Sequence, residues 1–140
     1  MRIAVRYYSK TGNTKKLAEA IGKAVHVEAK TTDEPLREDV DILFLGSSVY
    51  ANGVDRNVKA FIQNLNTKVG KVVNFSTAAL VKSTYKQVGR LLEEKDIPLA
   101  KEEFYCRGSF AVMHRGRPNE NDLRDAMSFA IAIVEGMKNR

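Results

Sequence analysis

Ser9-Lys10-Thr11-Gly12-Asn13-Thr14 divides two segments of different periodicity. Before it, Ile3, Val5 and Tyr7 alternate with Ala4 and Arg6, the pattern of a strand with two unlike faces. After it, Leu17, Ala20, Ile21, Ala24 and Val25 recur at spacings of three and four, the mark of a helix with one buried face. A strand therefore runs through a short hydroxyl-rich turn straight into a helix. The first turn of a helix has N–H groups without helical partners and a partial positive charge, so it attracts anions. Gly12 permits a positive φ or a close backbone approach, and Ser9, Thr11 and Thr14 offer three hydroxyls that can converge on one group. Phosphate is the natural guest of such a turn.

The same residues are also ordinary capping chemistry, and the turn alone does not choose between the two. It lacks the spaced glycines of a dinucleotide fingerprint and the Gly-Lys-Ser/Thr ending of a nucleoside triphosphate loop. The pattern it meets in full, at Ser9, Thr11, Gly12 and Thr14, resembles the Thr/Ser-x-Thr-Gly-x-Thr phosphate loop of flavodoxins. In that family the loop holds the terminal phosphate of flavin mononucleotide (FMN), so the resemblance assigns the whole stretch, Lys10 and Asn13 included, to cofactor binding.

Further along, His26 to Ala29 is a short strand candidate, and Pro35 opens a single helical turn or a loop within the polar segment from Lys30 to Asp39. Val40 to Leu45 is a continuous apolar run ending at Gly46-Ser47-Ser48, as in a central strand covered on both faces. Asp55 is placed to cap a helix with Val58, Phe61, Ile62 and Leu65 inward. Another strand spans Val69 to Phe75, and Ser83 or Thr84 opens a helix carrying Val88, Leu91 and Leu92. A last strand is expected around Glu103 to Phe110, interrupted by Gly108. Asn119 or Asn121 then caps a long helix striped by Leu123, Ala126, Met127, Ala130, Ile131, Val134 and Met137. Strands and helices alternate, with connections too long for hairpins, so the expected fold is α/β: one domain with a parallel sheet and helices on both faces. The match to a flavodoxin-like doubly wound sheet of five strands, order 2-1-3-4-5, puts ligands at the carboxyl ends of the strands.

The loops after strands one, three and four then meet. Gly46 to Gly53 resembles the flavin-edge loop of flavodoxins, which assigns Ser47, Ser48, Val49, Tyr50, Ala51, Asn52 and Gly53 to the cofactor, with Tyr50 against the isoalloxazine ring. Otherwise Tyr50 and the Asn52-Gly53 turn shape a surface loop. Ser76, Thr77 and Ala78 are placed by the same resemblance at the pyrimidine edge of the flavin. The third loop departs from the family in lacking a stacking tyrosine, leaving Leu80 or Val81 to cover the ring. Phe104 to Phe110 and Arg117 to Leu123 also look like segments of small bacterial flavodoxins, without the insertion that splits the last strand of long-chain members.

With 140 residues, 44% of them hydrophobic, the chain can bury a full core. No apolar run approaches the roughly 18 residues of a membrane span. Lys10, Lys15 and Lys16 arrive too early for a signal peptide, so a cytoplasmic protein is expected. Cys106 is the only cysteine and reads as core; His26 and His114 have no metal-ligand spacing, and no hydrolytic triad is present. The formal charge of +6 is scattered and accompanies no nucleic-acid motif. The resemblance therefore implies an FMN-binding electron carrier between redox proteins. Rival readings are an FMN-dependent NAD(P)H or quinone-type oxidoreductase, and a flavodoxin-fold accessory module, either of the ribonucleotide reductase-maintenance kind or flavin-free. Acidic flavodoxins are the usual case, whereas Lys10, Arg56, Lys82, Arg115 and Arg117 fall in or next to turns at the carboxyl edge here. That predicts a less negative potential and docking to acidic partner surfaces.

Overall fold

In the computed structural model the alternating N-terminal run is β1 (Ile3–Tyr7), and the segment of helical periodicity is α1 (Asn13–Val25). The structure describes residues 1–49, 54–78, 83–108 and 116–139. Within them follow β2 (Ala29–Thr31), β3 (Val40–Val49), α2 (Arg56–Gln63), β4 (Val69–Ala78), α3 (Tyr85–Glu93), β5 (Phe104–Arg107) and α4 (Glu120–Lys138). The five strands form one all-parallel sheet in the order β2-β1-β3-β4-β5, as expected.

Side-chain alternation along the strands sets the two layers. Val5, Tyr7, Ile42, Phe44, Val73 and Phe75 face Leu17 and Ile21 of α1 and Ala126, Ala130 and Val134 of α4. Ala4, Leu43, Leu45 and Val72 face Val58, Phe61 and Ile62 of α2 and Val88 and Leu92 of α3. Caps fix where the helices begin. Asp55 accepts a hydrogen bond from the Asn57 N–H at 2.7 Å. At α4 the capping residue is Asn119, whose side chain and that of Asp122 each accept the other's backbone N–H. At α3 the Ser83 hydroxyl accepts from the Tyr85 N–H at 3.2 Å, while Thr84 turns inward.

Several boundaries differ from the sequence reading. The second strand begins at Ala29, not at His26, because α1 ends in a turn: His26 is left-handed (φ 63°) and the Val27 N–H bonds Gly22 O at 2.9 Å. The strands β3 and β4 run on through their hydroxyl residues to Val49 and Ala78. Within the described residues β5 spans Phe104–Arg107 only; Ser109 and Phe110 lie outside them. The stripe on α4 is rotated: Ile131 is 47% exposed, and Phe129 and Ile133 pack against the core instead. Phe129 sits 5.8 Å from Phe104, ring centre to ring centre. Cys106 is buried in the core as expected; burial, with Asp122 nearby, pushes its thiol up to about 12. Among the described residues no helix is long and apolar enough to cross a membrane.

Candidate functional site

All strands are parallel, so their carboxyl ends share one edge of the sheet, and the turn after β1 lies there beside the ends of β3 and β4. The Tyr8 N–H bonds Gly46 O at 3.1 Å, which ties the start of that turn to β3. Ser9 closes the turn on itself by accepting from the Gly12 N–H at 3.0 Å. Gly12 then takes φ 95°, a conformation that costs other residues roughly 1–2 kcal/mol. Lys10 and Thr11 are exposed at the tip, and Asn13 and Thr14, which begin α1, are buried.

Thr14 joins the three loops. Its hydroxyl lies 2.6 Å from Ser48 Oγ on β3 and 2.9 Å from Thr77 Oγ1 on β4, and it is fully buried. Register explains the meeting, because Ser48 and Thr77 are direct partners in the β3–β4 ladder and share a face. The end of β5 closes on the same point: a Cβ added to Gly108 would lie 2.9 Å from Asn13 Nδ2 and 3.2 Å from Thr77 Cβ. Three hydroxyls carry three protons, and the two contacts among them use two.

The start of α1 has no acidic residue in its first turn. Its N-cap, Gly12, brings no side chain of its own, and the amides of the first turn have no carbonyl of their own helix to bond. Near the end of β4, Ser76 Oγ is buried without a hydrogen-bond partner among the described residues. Such a group costs free energy unless a partner meets it.

On the opposite face of the same strands lies a network that sequence reasoning missed. Ser47 Oγ donates to Thr84 Oγ1 at 3.2 Å, and Thr84 Oγ1 donates to Asn74 Oδ1 at 3.2 Å. Asn74 Nδ2 reaches Glu103 Oε2 at 3.4 Å, and Ser83 Oγ donates to Glu103 Oε1 at 3.1 Å. The network anchors the start of α3, hence the far end of the loop that leaves β4. Asn74 was the available signal: a polar residue inside Val72-Val73-Asn74-Phe75 in a central strand needs buried partners.

The structure thus brings together Ser9, Gly12, Asn13, Thr14, Ser48 and Thr77, with Lys10 and Thr11 at the rim. Ser47, Ser76 and Ala78 border the same edge from the other face of the sheet. Val49 ends β3 opposite Ala78. Tyr50, Ala51, Asn52 and Gly53 lie outside the described residues, as do Leu80, Val81, Lys82, His114 and Arg115. Arg117, expected among the cations near the carboxyl edge, is held by an acid. It makes a two-pronged pair with Asp122 at 2.6 and 2.8 Å, and its charge is spent there. Among the described residues no group of three or more His, Cys, Asp or Glu could hold a metal ion.

Comparison with known proteins agrees with the fold. An uncharacterized protein of Methanocaldococcus jannaschii is 26% identical over 137 residues, covering 88% of this chain and 91% of its own. A flavodoxin from the domain Archaea superposes with a TM-score of 0.78 at 18% identity, over 99% of both chains. Oxidised Flavodoxin 2 from Bacillus cereus gives 0.69 at 19% identity, over 97% of this chain and 99% of its own. The flavodoxin domain model matches residues 4–114, and the chain therefore belongs to the flavodoxin domain family.

Proposed function

We propose that this protein binds FMN at the carboxyl edge of its sheet and carries electrons between redox proteins. The observation that carries the reading is the glycine-led start of α1, set against Ser48 and Thr77 through the buried Thr14 hydroxyl. The residues present fit a phosphate-bearing group. The first-turn amides of α1 and the Ser9 to Thr14 turn would hold the phosphate, and Lys10 would add a solvated positive charge. The loops after β3 and β4 would hold the ring: Tyr50 against its face, Asn52-Gly53 beside its edge, and Ser76, Thr77 and Ala78 along the pyrimidine side. When bound, the isoalloxazine ring supplies the one- and two-electron chemistry, and the protein tunes and orients it. The chain's own part is to fix the phosphate, shut water away from one side of the ring, and present basic groups at the docking edge. Lys10 in the turn after β1 and Arg56 at the first position of α2 are both exposed there. Their charge favours a partner with an acidic surface.

The test compares FMN with riboflavin, which lacks the phosphate. Charge-assisted hydrogen bonds contribute about 1.5–3 kcal/mol each, so FMN should bind at least tenfold more tightly. Equal affinity for the two would reject the phosphate assignment. Sustained NAD(P)H consumption by the purified protein alone would replace the carrier reading with the oxidoreductase one.

A further inference from the structure

Three of the four crossovers in the sheet lay a helix across it; the one from β2 to β3 does not. Residues 32–39 form a loop that seats Leu36 in the core. What it leaves uncovered is a groove of about 610 Å³ over β1 and β2, bordered by Arg2, Ala4, Arg6, Lys30, Glu34 and Arg37. Arg6, Lys30 and Leu45 are register partners across the sheet, so Arg6 points to the same face as the α2 layer, where an apolar residue would be expected.

Arg6 is only 9% exposed. Its Nε donates to Glu34 O at 2.9 Å and its Nη1 to Val5 O at 3.1 Å, both neutral carbonyls. Among the described residues it forms no ion pair. A guanidinium has five N–H donors; two are used on these carbonyls, and none of its nitrogens is buried without a partner, so the rest are open to the groove. Burial pulls its pKa down, and the Glu34 carboxylate opposes that only in part. The other acids of the groove do not meet the need. Glu38 pairs with Arg2 at 3.4 Å, and Glu28 is solvated at the rim together with Lys30 and Arg37. The volume falls within the range of small-molecule sites, roughly 300–1,000 Å³.

We infer that the groove over β1 and β2 is a second ligand site, in which the Arg6 guanidinium receives the carboxylate or phosphate of a small anionic molecule. This inference does not depend on flavin binding at the carboxyl edge. A planar fork of donors suits both oxyanions.

Titrating the ¹⁵N-labelled full chain, as purified, with inorganic phosphate and separately with succinate tests it. Saturable shifts are expected at Arg6 Nε–H and at the Lys30 and Glu34 amides. Arg6→Met should weaken binding about tenfold or more, and Arg6→Lys should retain part of it. The same anion should raise the melting temperature of the parent chain and not that of Arg6→Met. A response to phosphate alone identifies a phosphate ester as the ligand class, and one to succinate alone a carboxylate. Shifts confined to residues 12–15, shifts that do not saturate, a response to neither probe, or an anion effect that survives in Arg6→Met would each overturn the proposal.

Discussion

Thr14 does two jobs at the residue scale: it begins α1 and it knots β3 to β4 through Ser48 and Thr77. Thr14→Val keeps the shape and leaves two buried hydroxyls short of a partner. The change should cost about 1–3 kcal/mol of stability in denaturant unfolding, and an unchanged midpoint would remove the knot from the account. Asp122 titrates with a definite sign. Burial works to raise its pKa, but the hydrogen bonds from Arg117, the Asn119 N–H and the Arg117 charge together hold it below the ordinary carboxylate value. Its contribution is therefore complete above the unfolded-state pKa and is lost as pH falls through the lower folded value. Arg117→Met should flatten that acid limb and cost about 1–2 kcal/mol at neutral pH, a modest sum because the guanidinium is partly solvated. Cys106, with its thiol pushed up to about 12, stays protonated at pH 8. It should resist thiol reagents in the folded chain and react once unfolded; rapid labelling of the native protein would contradict its burial.

At the scale of elements, α1 depends on its entry. Gly12 takes φ 95° with nothing within 4 Å of an added Cβ, so Gly12→Ala pays only backbone strain. About 1–2 kcal/mol of destabilisation is expected, without a rearranged core, by denaturation and amide-exchange measurements. The elements themselves were mostly legible in the sequence because apolar periodicity reports burial directly. Leu17 and Ile21 marked α1, and Val40 to Leu45 marked β3. What periodicity could not report was polar burial. Ser47, Ser48 and Thr77 extend β3 and β4 through hydrogen bonds to neighbouring elements and not because they are greasy, so hydropathy stopped the strands early. The pairing of Arg117 was not legible because its partner Asp122 is set by the α4 cap, a contact invisible without the fold. Ile131 matched a helical stripe by spacing, yet α4 turns the neighbouring Phe129 toward Phe104 instead. The turn at Ser9 to Thr14 was legible because a hydroxyl- and glycine-bearing turn before a helix start is set by local sequence.

For the whole molecule, the formal charge of +6 sets how partners approach. With Arg117 paired, Lys10 and Arg56 are the described cations left from the expected set at the carboxyl edge. Charge near a developing anion stabilises it by about 1 kcal/mol at 4 Å in water, and more at lower effective dielectric. The fully reduced cofactor should therefore form at a less negative potential than in acidic flavodoxins. Reduction by an acidic partner should slow as salt rises, because screening shortens the steering range. Replacing Lys10 and Arg56 together by Gln should blunt both effects; a salt-independent rate in the parent chain would contradict them. The most direct measurement is the identity and amount of the cofactor released from the purified protein after reconstitution with flavins. A yellow protein that releases FMN in equimolar amount is expected, and a colourless protein that takes up no FMN would overturn the FMN-binding proposal.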